Sequence, residues 1–356
     1  MTTHSTIVPP KLQPGDTVAF VSPSERLNHL WASPLSRAAL WLESLGLKVK
    51  TFYAPSSDTE ETFATAITNR VNELHAAFSD PSIKAIVCTV GGTKANQILR
   101  HLDYALISAN PKILVGNSDI TNLHYALYTQ AHLRTFYGPA AISELSDFPT
   151  PISFTAEHFT NVLLSPSDIA VGKLPRSTHW APKLFHEACP DERTDRPRDL
   201  ESSPPWTWVR PGAARGPILG GCLPIVVRLA GTPYFPSHRG SILLLETPMA
   251  ESSLTRPLPI ARARAAMVDL LNAGVLEDAV GLVVGRPFGY DADMREAFRT
   301  MIGEVCDQVK SRVGEFPILC DVDVGHTSPV LTVPLGALAE LDSGKDEWKV
   351  VEAGVS

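Results

Sequence analysis

Three residues of this chain, each closing an apolar run, are of the types that perform nucleophilic catalysis: Ser118, Glu246 and His326. In VGNSDITNLHYAL a buried strand ends at Gly116 and Ser118 falls on the turn that opens a helix. Such a turn resembles a nucleophile elbow, which lifts a serine hydroxyl to the carboxyl edge of a sheet, although GNSD is not the GxSxG pattern. The plain alternative is that Ser118 or Asp119 is a helix N-cap. Glu246 ends the strand SILLLE before a Thr–Pro break, where α/β folds collect their site residues. His326 follows the strand PILCDVDVG and lies in a Gly/Thr/Ser/Pro loop, whereas His101 and His132 lie in helical or helix-end stretches. Nucleophile, acid and base then come in the order Ser118, Glu246, His326, and geometry rather than order defines a triad. Gly91 and Gly92 close the strand IKAIVCTV, where their N–H groups could face an oxyanion or a phosphate, or simply make a turn.

The elements that must hold these residues follow from hydrophobic patterning. Up to about residue 165, strands alternate with helices, which means βαβ units and a mainly parallel sheet. Helices are expected over SPLSRAALWLESLG, from Thr59 to Phe78, over TKANQILRHL and over NSDITNLHYALYTQAH. From about 166 to 215 the pattern dissolves into Pro- and charge-rich sequence with three tryptophans, expected to be a linker or substrate loop. Those tryptophans either pack the loop down or face a ligand. After Gly216 a second set begins, with strands at SILLLE and AVGLVVG and helices over 255–272 and 293–312. PILCDVDVG, VLTVPLG and EWKVVE read as its later strands. The expected division is an α/β domain over 1–165, a loop over 166–215 and a second α/β domain over 216–356.

Composition narrows the function. At 31 − 38 = −7 the chain is mildly acidic, which disfavours nucleic acid or an anionic membrane as partner. With 44% hydrophobic and 19% charged residues it can bury a sizeable core. No run approaches 18 apolar residues, and the first residues lack a basic, then apolar, leader pattern, so a cytoplasmic protein is expected. Five cysteines without CxxC or zinc spacing indicate neither a disulfide framework nor a metal site; Cys88 and Cys222 read as buried small hydrophobes. No GxGxxG or GKS/T motif supports a nucleotide-dependent enzyme.

The segments GGTKANQIL, VGNSDITNLHYAL, ILGGCLPIVVRLAGTPYFP, SILLLETP, GLVVGRPFGY and VGHTSPVLTVPLG resemble, in order and spacing, the LD-carboxypeptidase family of serine peptidases. The resemblance runs from Lys11 to about Val351, and its most specific parts are GNSD and GHTSPVLTVPLG. Within the family, the long insertion carrying Trp180 and Trp208 and the GGTKAN loop are closer to the microcin C self-immunity branch than to the murein-recycling enzymes. The resemblance implies a flavodoxin-like N-terminal domain, a smaller C-terminal α/β domain and a homodimer. It implies Ser118 as nucleophile, Glu246 and His326 as its relay, and Gly92 and Asp119 N–H groups as oxyanion hole. Gly91 and Trp180 would contact substrate, Trp180 by stacking on a nucleobase. It implies no cofactor and no metal, and a small peptide or an aminoacyl or peptidyl nucleotide mimic as substrate. The rival readings are a same-fold hydrolase of a small-molecule biosynthetic pathway and a non-catalytic protein that sequesters a ligand.

Overall fold

Runs such as TVAFV, IKAIVC and ILVG are mostly apolar because helices cover both faces of the sheet they enter. The computed structural model describes residues 6–53, 62–166, 168–183, 195–250, 253–309 and 316–356. Strands β1 (Thr17–Val21), β2 (Lys48–Phe52), β3 (Ile83–Cys88), β4 (Ile113–Gly116) and β5 (Thr135–Tyr137) are parallel, in the order β2-β1-β3-β4-β5. That order is the flavodoxin-like one. Helices α1 (Ala32–Ser44), α2 (Phe63–Ser79), α3 (Tyr104–Ala109), α4 (Thr121–Gln130) and α5 (Ser153–Leu163) accompany it. Where a helix was expected over TKANQILRHL there are two 3-10 turns, Ala95–Gln97 and Leu99–His101. The Ala95 N–H at their start is drawn 2.7 Å from an Asp119 carboxylate oxygen rather than into an α-helical ladder. Residues 59–61 of the expected second helix lie outside the described residues.

The 166–215 stretch is less featureless than its sequence suggests. It holds β6 (Gly172–Lys173), β7 (His179–Trp180), β8 (Glu201–Ser202), β9 (Thr207–Arg210) and the start of β10 (Ala213–Cys222). Strands of two to four residues are too short to show alternation. Then come β11 (Ile242–Glu246), β12 (Gly281–Gly285), β13 (Ile318–Val322), β14 (Val333–Leu335), β15 (Leu338–Asp342) and β16 (Glu347–Val350). The second sheet runs β6-β16-β15-β10-β11-β12-β13-β9, with β10 to β13 parallel. Helices α6 (Leu223–Leu229), α7 (Ile260–Asn272), α8 (Val275–Asp278) and α9 (Ala292–Cys306) belong with it. Helix α7 starts five residues later than its periodicity suggests, since Pro257 and Pro259 hold extended backbone just before it.

The two sheets are not independent. One apolar cluster takes Leu123, Ala126 and Leu127 from α4 together with Leu223, Val226 and Leu229 from α6. Strand β14 leaves the second sheet's sequence and pairs antiparallel with β5 of the first, Val333 opposite Tyr137. The segment that leads into it is fastened by α5. Thr155 Oγ1 accepts the Val330 N–H at 2.9 Å, and His158 Nδ1 accepts the Thr332 N–H at 3.0 Å. Burial pulls the His158 imidazole down to about 4, which keeps it a neutral acceptor at ordinary pH. Among the described residues no helix is long and apolar enough to cross a membrane. Thr155→Val, nearly isosteric, leaves the buried Val330 N–H unpaired and should cost about 1–3 kcal/mol. The urea midpoint should fall accordingly; an unchanged midpoint would deny this clasp any weight.

Candidate active site

Strand β4 delivers Ser118 to the carboxyl edge of the first sheet in a conformation few non-glycine residues adopt, φ 58°. Holding it there costs on the order of 1–3 kcal/mol and requires fixed surroundings. They are provided on both sides. The Ser118 N–H donates to the Tyr137 hydroxyl at 2.9 Å, and the Ser118 carbonyl accepts from Thr121 Oγ1 at 2.7 Å. Neither Ser118 nor Asp119 caps the helix: the turn is capped from Asn117, with no side-chain cap bond. The carboxylate of Asp119 instead ties the turn to neighbouring loops. It accepts the Ser24 hydroxyl at 2.6 Å, the Ala95 N–H at 2.7 Å and the Asn122 amide at 2.8 Å.

His326 Nε2 stands 2.9 Å from Ser118 Oγ, and His326 Nδ1 stands 2.7 Å from Glu246 Oε2. The other oxygen of Glu246 accepts the Tyr137 hydroxyl at 2.6 Å. The structure thus brings Ser118, His326 and Glu246 into one hydrogen-bonded line although 208 residues separate the first two. Glu246 is wholly buried. Two glycines make room for the line. A Cβ on Gly325 (φ 108°) would sit 2.6 Å from Glu246 Oε2, and one on Gly91 would sit 2.7 Å from Ser118 Cβ. Beyond Gly91, the N–H groups of Gly92 and Asp119 have no acceptor among the described residues.

The charges follow from this packing. Burial alone would push the Glu246 carboxyl up, but the His326 imidazole, the Tyr137 hydroxyl and the Cys222 thiol outweigh it and hold the group below its ordinary value. Burial pulls His326 down, while Glu246 and, more weakly, Glu144 outweigh that and hold it above the ordinary histidine value. Burial, then the Glu246 charge, pushes Tyr137 and Cys222 well above their usual ranges, so both stay neutral donors. Such an arrangement can take a proton from a hydroxyl and stabilise the imidazolium that results.

The Trp180 ring is packed within the protein. It is only 5% exposed, and the Arg286 guanidinium lies 5.0 Å from its ring centre, with Arg295 at 5.9 Å. Cation–π contacts occupy the ring, and the Ala181 N–H donates to the Ser328 carbonyl at 2.7 Å, pinning this segment beside the His326 loop. Trp206 and Trp208 likewise donate to Asp323 and Asp346, each at 2.8 Å. Tyr137, Thr121 and Ser24 were not singled out by sequence. For Tyr137 a signal existed: it is the last residue of TFY, before Gly138, at the same sheet edge as Ser118. Among the described residues no His, Cys, Asp and Glu group is arranged to hold a metal ion.

Family profiles match this chain over both sheets. The LD-carboxypeptidase N-terminal domain matches residues 18–138 and the LD-carboxypeptidase C-terminal domain residues 215–341. The chain belongs to the LD-carboxypeptidase family. It is a hydrolase of the serine carboxypeptidase type. It is 30% identical to the probable murein peptide carboxypeptidase of Bacillus subtilis (strain 168), covering 98% of this chain and 95% of that protein. To the microcin C7 self-immunity protein MccF of Escherichia coli it is 27% identical, over 96% of this chain and 95% of the other. A solved structure of MccF in complex with aspartyl sulfamoyl adenosine superposes with a TM-score of 0.84 at 25% identity, covering 98% of this chain and all (100%) of that one. For this LD-carboxypeptidase family member, Tyr137→Phe removes one bond to the Glu246 carboxylate and the acceptor for the Ser118 N–H. Losing a charge-assisted bond worth about 1.5–3 kcal/mol should lower kcat roughly 10- to 100-fold while the circular dichroism spectrum holds. Activity within twofold of the parent would make Tyr137 a bystander.

Proposed function

We propose that this chain cleaves an amide bond by covalent catalysis through Ser118, His326 and Glu246. The observation that carries the reading is the strained Ser118, its Oγ 2.9 Å from His326 Nε2. His326 takes the proton as Ser118 Oγ attacks the carbonyl carbon, and an acyl-enzyme forms as the C–N bond breaks. The same proton passes to the departing nitrogen. Water, deprotonated by His326, then releases the acyl group and restores the serine. Glu246 keeps the Nδ1 proton in place and stabilises the imidazolium.

The oxyanion of the tetrahedral intermediate is assigned to the N–H groups of Gly92 and Asp119. The Ser118 N–H is already given to Tyr137, and an N–H after the nucleophile plus one from a neighbouring strand-end loop is the elbow's usual pair. Each well-aligned donor supplies about 3–4 kcal/mol to the transition state. The substrate class is a small peptide with a terminal D-residue or an aminoacyl nucleotide mimic. Support comes from the family and from MccF, which has been solved with aspartyl sulfamoyl adenosine.

Ser118→Ala should abolish turnover of both an L,D-tetrapeptide and aspartyl sulfamoyl adenosine, with little change in ligand affinity. Turnover near the parent rate would end the reading, and a protein that binds without ever turning over would be the sequestering alternative. The pH profile carries a sign. Because His326 is held above the ordinary histidine value of 6.5, it remains imidazolium to a higher pH. The acid limb of kcat/KM should therefore lie above that value. In Glu246→Gln the raising charge is gone and burial dominates, so the limb should move down while the rate drops. A limb that stays in place would remove Glu246 from contact with the base.

A further inference from the structure

Seven acidic residues are buried among the described ones: Glu73, Asp119, Glu144, Asp147, Glu246, Asp321 and Asp323. A carboxylate taken out of water needs a cation or several donors. Five have a basic partner: Glu73 has Arg26, Asp147 has Arg198, Asp321 has Arg299, Asp323 has Arg286 and Glu246 has His326. Asp119 has three donors spread over both oxygens. Glu144 has neither. Its Oε2 accepts the Ala140 N–H at 3.0 Å and the Ser143 hydroxyl at 2.5 Å, while its Oε1 has no partner and no Lys or Arg pairs with it among the described residues.

The place of this half-satisfied carboxylate is informative. After β5 the chain crosses the carboxyl edge of the first sheet: the Gly138 N–H donates to the Gly116 carbonyl at 3.1 Å, the Ala141 N–H to Cys88 at 3.1 Å and the Ile142 N–H to Thr89 at 2.8 Å. Gly91 and Ser118 stand on that same edge. Glu144 follows two residues later, and its charge reaches His326. Ser143, which orients it, is part-exposed.

We propose that Glu144 Oε1 receives a protonated amine of the substrate, so that the cleft selects acyl groups bearing a free ammonium close to the scissile carbonyl. This deepens the hydrolase reading and rests on it. In both candidate substrate classes the leaving side offers no free aliphatic amine, since its nitrogen is the one in the scissile bond. The ammonium must therefore come with the acyl group: an α-amine in an aminoacyl nucleotide mimic, or a side-chain amine in a peptide.

The test compares matched pairs: aspartyl sulfamoyl adenosine with its N-acetyl derivative, and a peptide ending in L-lysyl-D-alanine with its Nε-acetyl form. The parent should favour the amine of the pair it turns over by about tenfold or more in kcat/KM, as a charge-assisted bond in a dry site would give. Glu144→Gln, which can still accept the Ala140 N–H, should bring the amine-to-acetyl ratio towards one, mostly through KM. Glu144→Asp, which keeps the charge, should retain part of the ratio, and labelling of Ser118 by a fluorophosphonate probe reports that each variant is folded. A parent ratio near one in both pairs overturns the amine receptor while hydrolysis stands. An unchanged ratio in Glu144→Gln, with only the acid limb lowered, also overturns it and leaves Glu144 as a charge beside His326. A parent that turns over neither scaffold and is not labelled at Ser118 is failure of the hydrolase reading itself, and the receptor falls with it.

Discussion

A fully buried carboxylate, Glu246, sets the terms for the assembly. Left alone in the interior it would be costly enough to protonate. Its neighbours come from every side: Tyr137 at the end of β5, His326 from the loop after β13, and Cys222, which stands opposite it in the β10–β11 register. Glycines at 285 and 325 let the backbone close around it, since a Cβ at either would lie within 3 Å of its side chain. No one sheet supplies all these groups. The first sheet must dock on the second for the charge to be solvated by the protein, so the interface and the site are one structure.

The strained serine is held by the same contacts. Tyr137 takes the Ser118 N–H with the hydroxyl whose proton it gives to Glu246, so one phenol fixes both the Ser118 backbone and the Glu246 carboxylate. Thr121 works similarly on the other side: its hydroxyl donates to the Ser118 carbonyl and accepts the Cys222 N–H at 3.0 Å from β10. A conformation that costs free energy in isolation is over-determined here by two side chains that each reach across to the second sheet. Asp119 extends the frame outward, because its donors Ser24 and Ala95 bind the loops after β1 and β3 to the turn. Those loops lie at the switch point of the β2-β1-β3 order, where ligands bind in flavodoxin-like sheets.

Much of this was legible because parallel strands announce themselves and their ends are where chemistry collects. Ser118, Glu246 and His326 each close or follow an apolar run, and the run lengths alone place them on one kind of edge. The 2-1-3-4-5 order and the crossing of β14 were not legible from patterning, since they depend on which strands pair across the sheet, Val333 with Tyr137 among them. Tyr137 looked like one more strand aromatic; only its distance to Glu246 gives the hydroxyl a role. Asp119 was open to the reading of a helix cap because Asp at a helix start has that local use, and tertiary donors displaced it. For Trp180, on a proline-rich stretch, packing and ligand contact were both open, and its contacts with Arg286 and Arg295, far along the chain, were not legible.

The loop that carries His326 ties the two sheets together at the Ser118–His326–Glu246 line. It leaves β13 of the second sheet at Val322, passes His326, and enters β14, which pairs with the first sheet. Val333 of β14 lies opposite Tyr137, the residue bonded to Glu246. Sliding one sheet past the other would thus strain the β14–β5 pairing, break the Tyr137–Glu246 bond and part His326 from Ser118 together. The three contacts are therefore geometrically coupled. Interiors packed at protein density deform little, so these contacts hold one another in place. His326 is kept within reach of Ser118 by the same strand pairing that completes the fold.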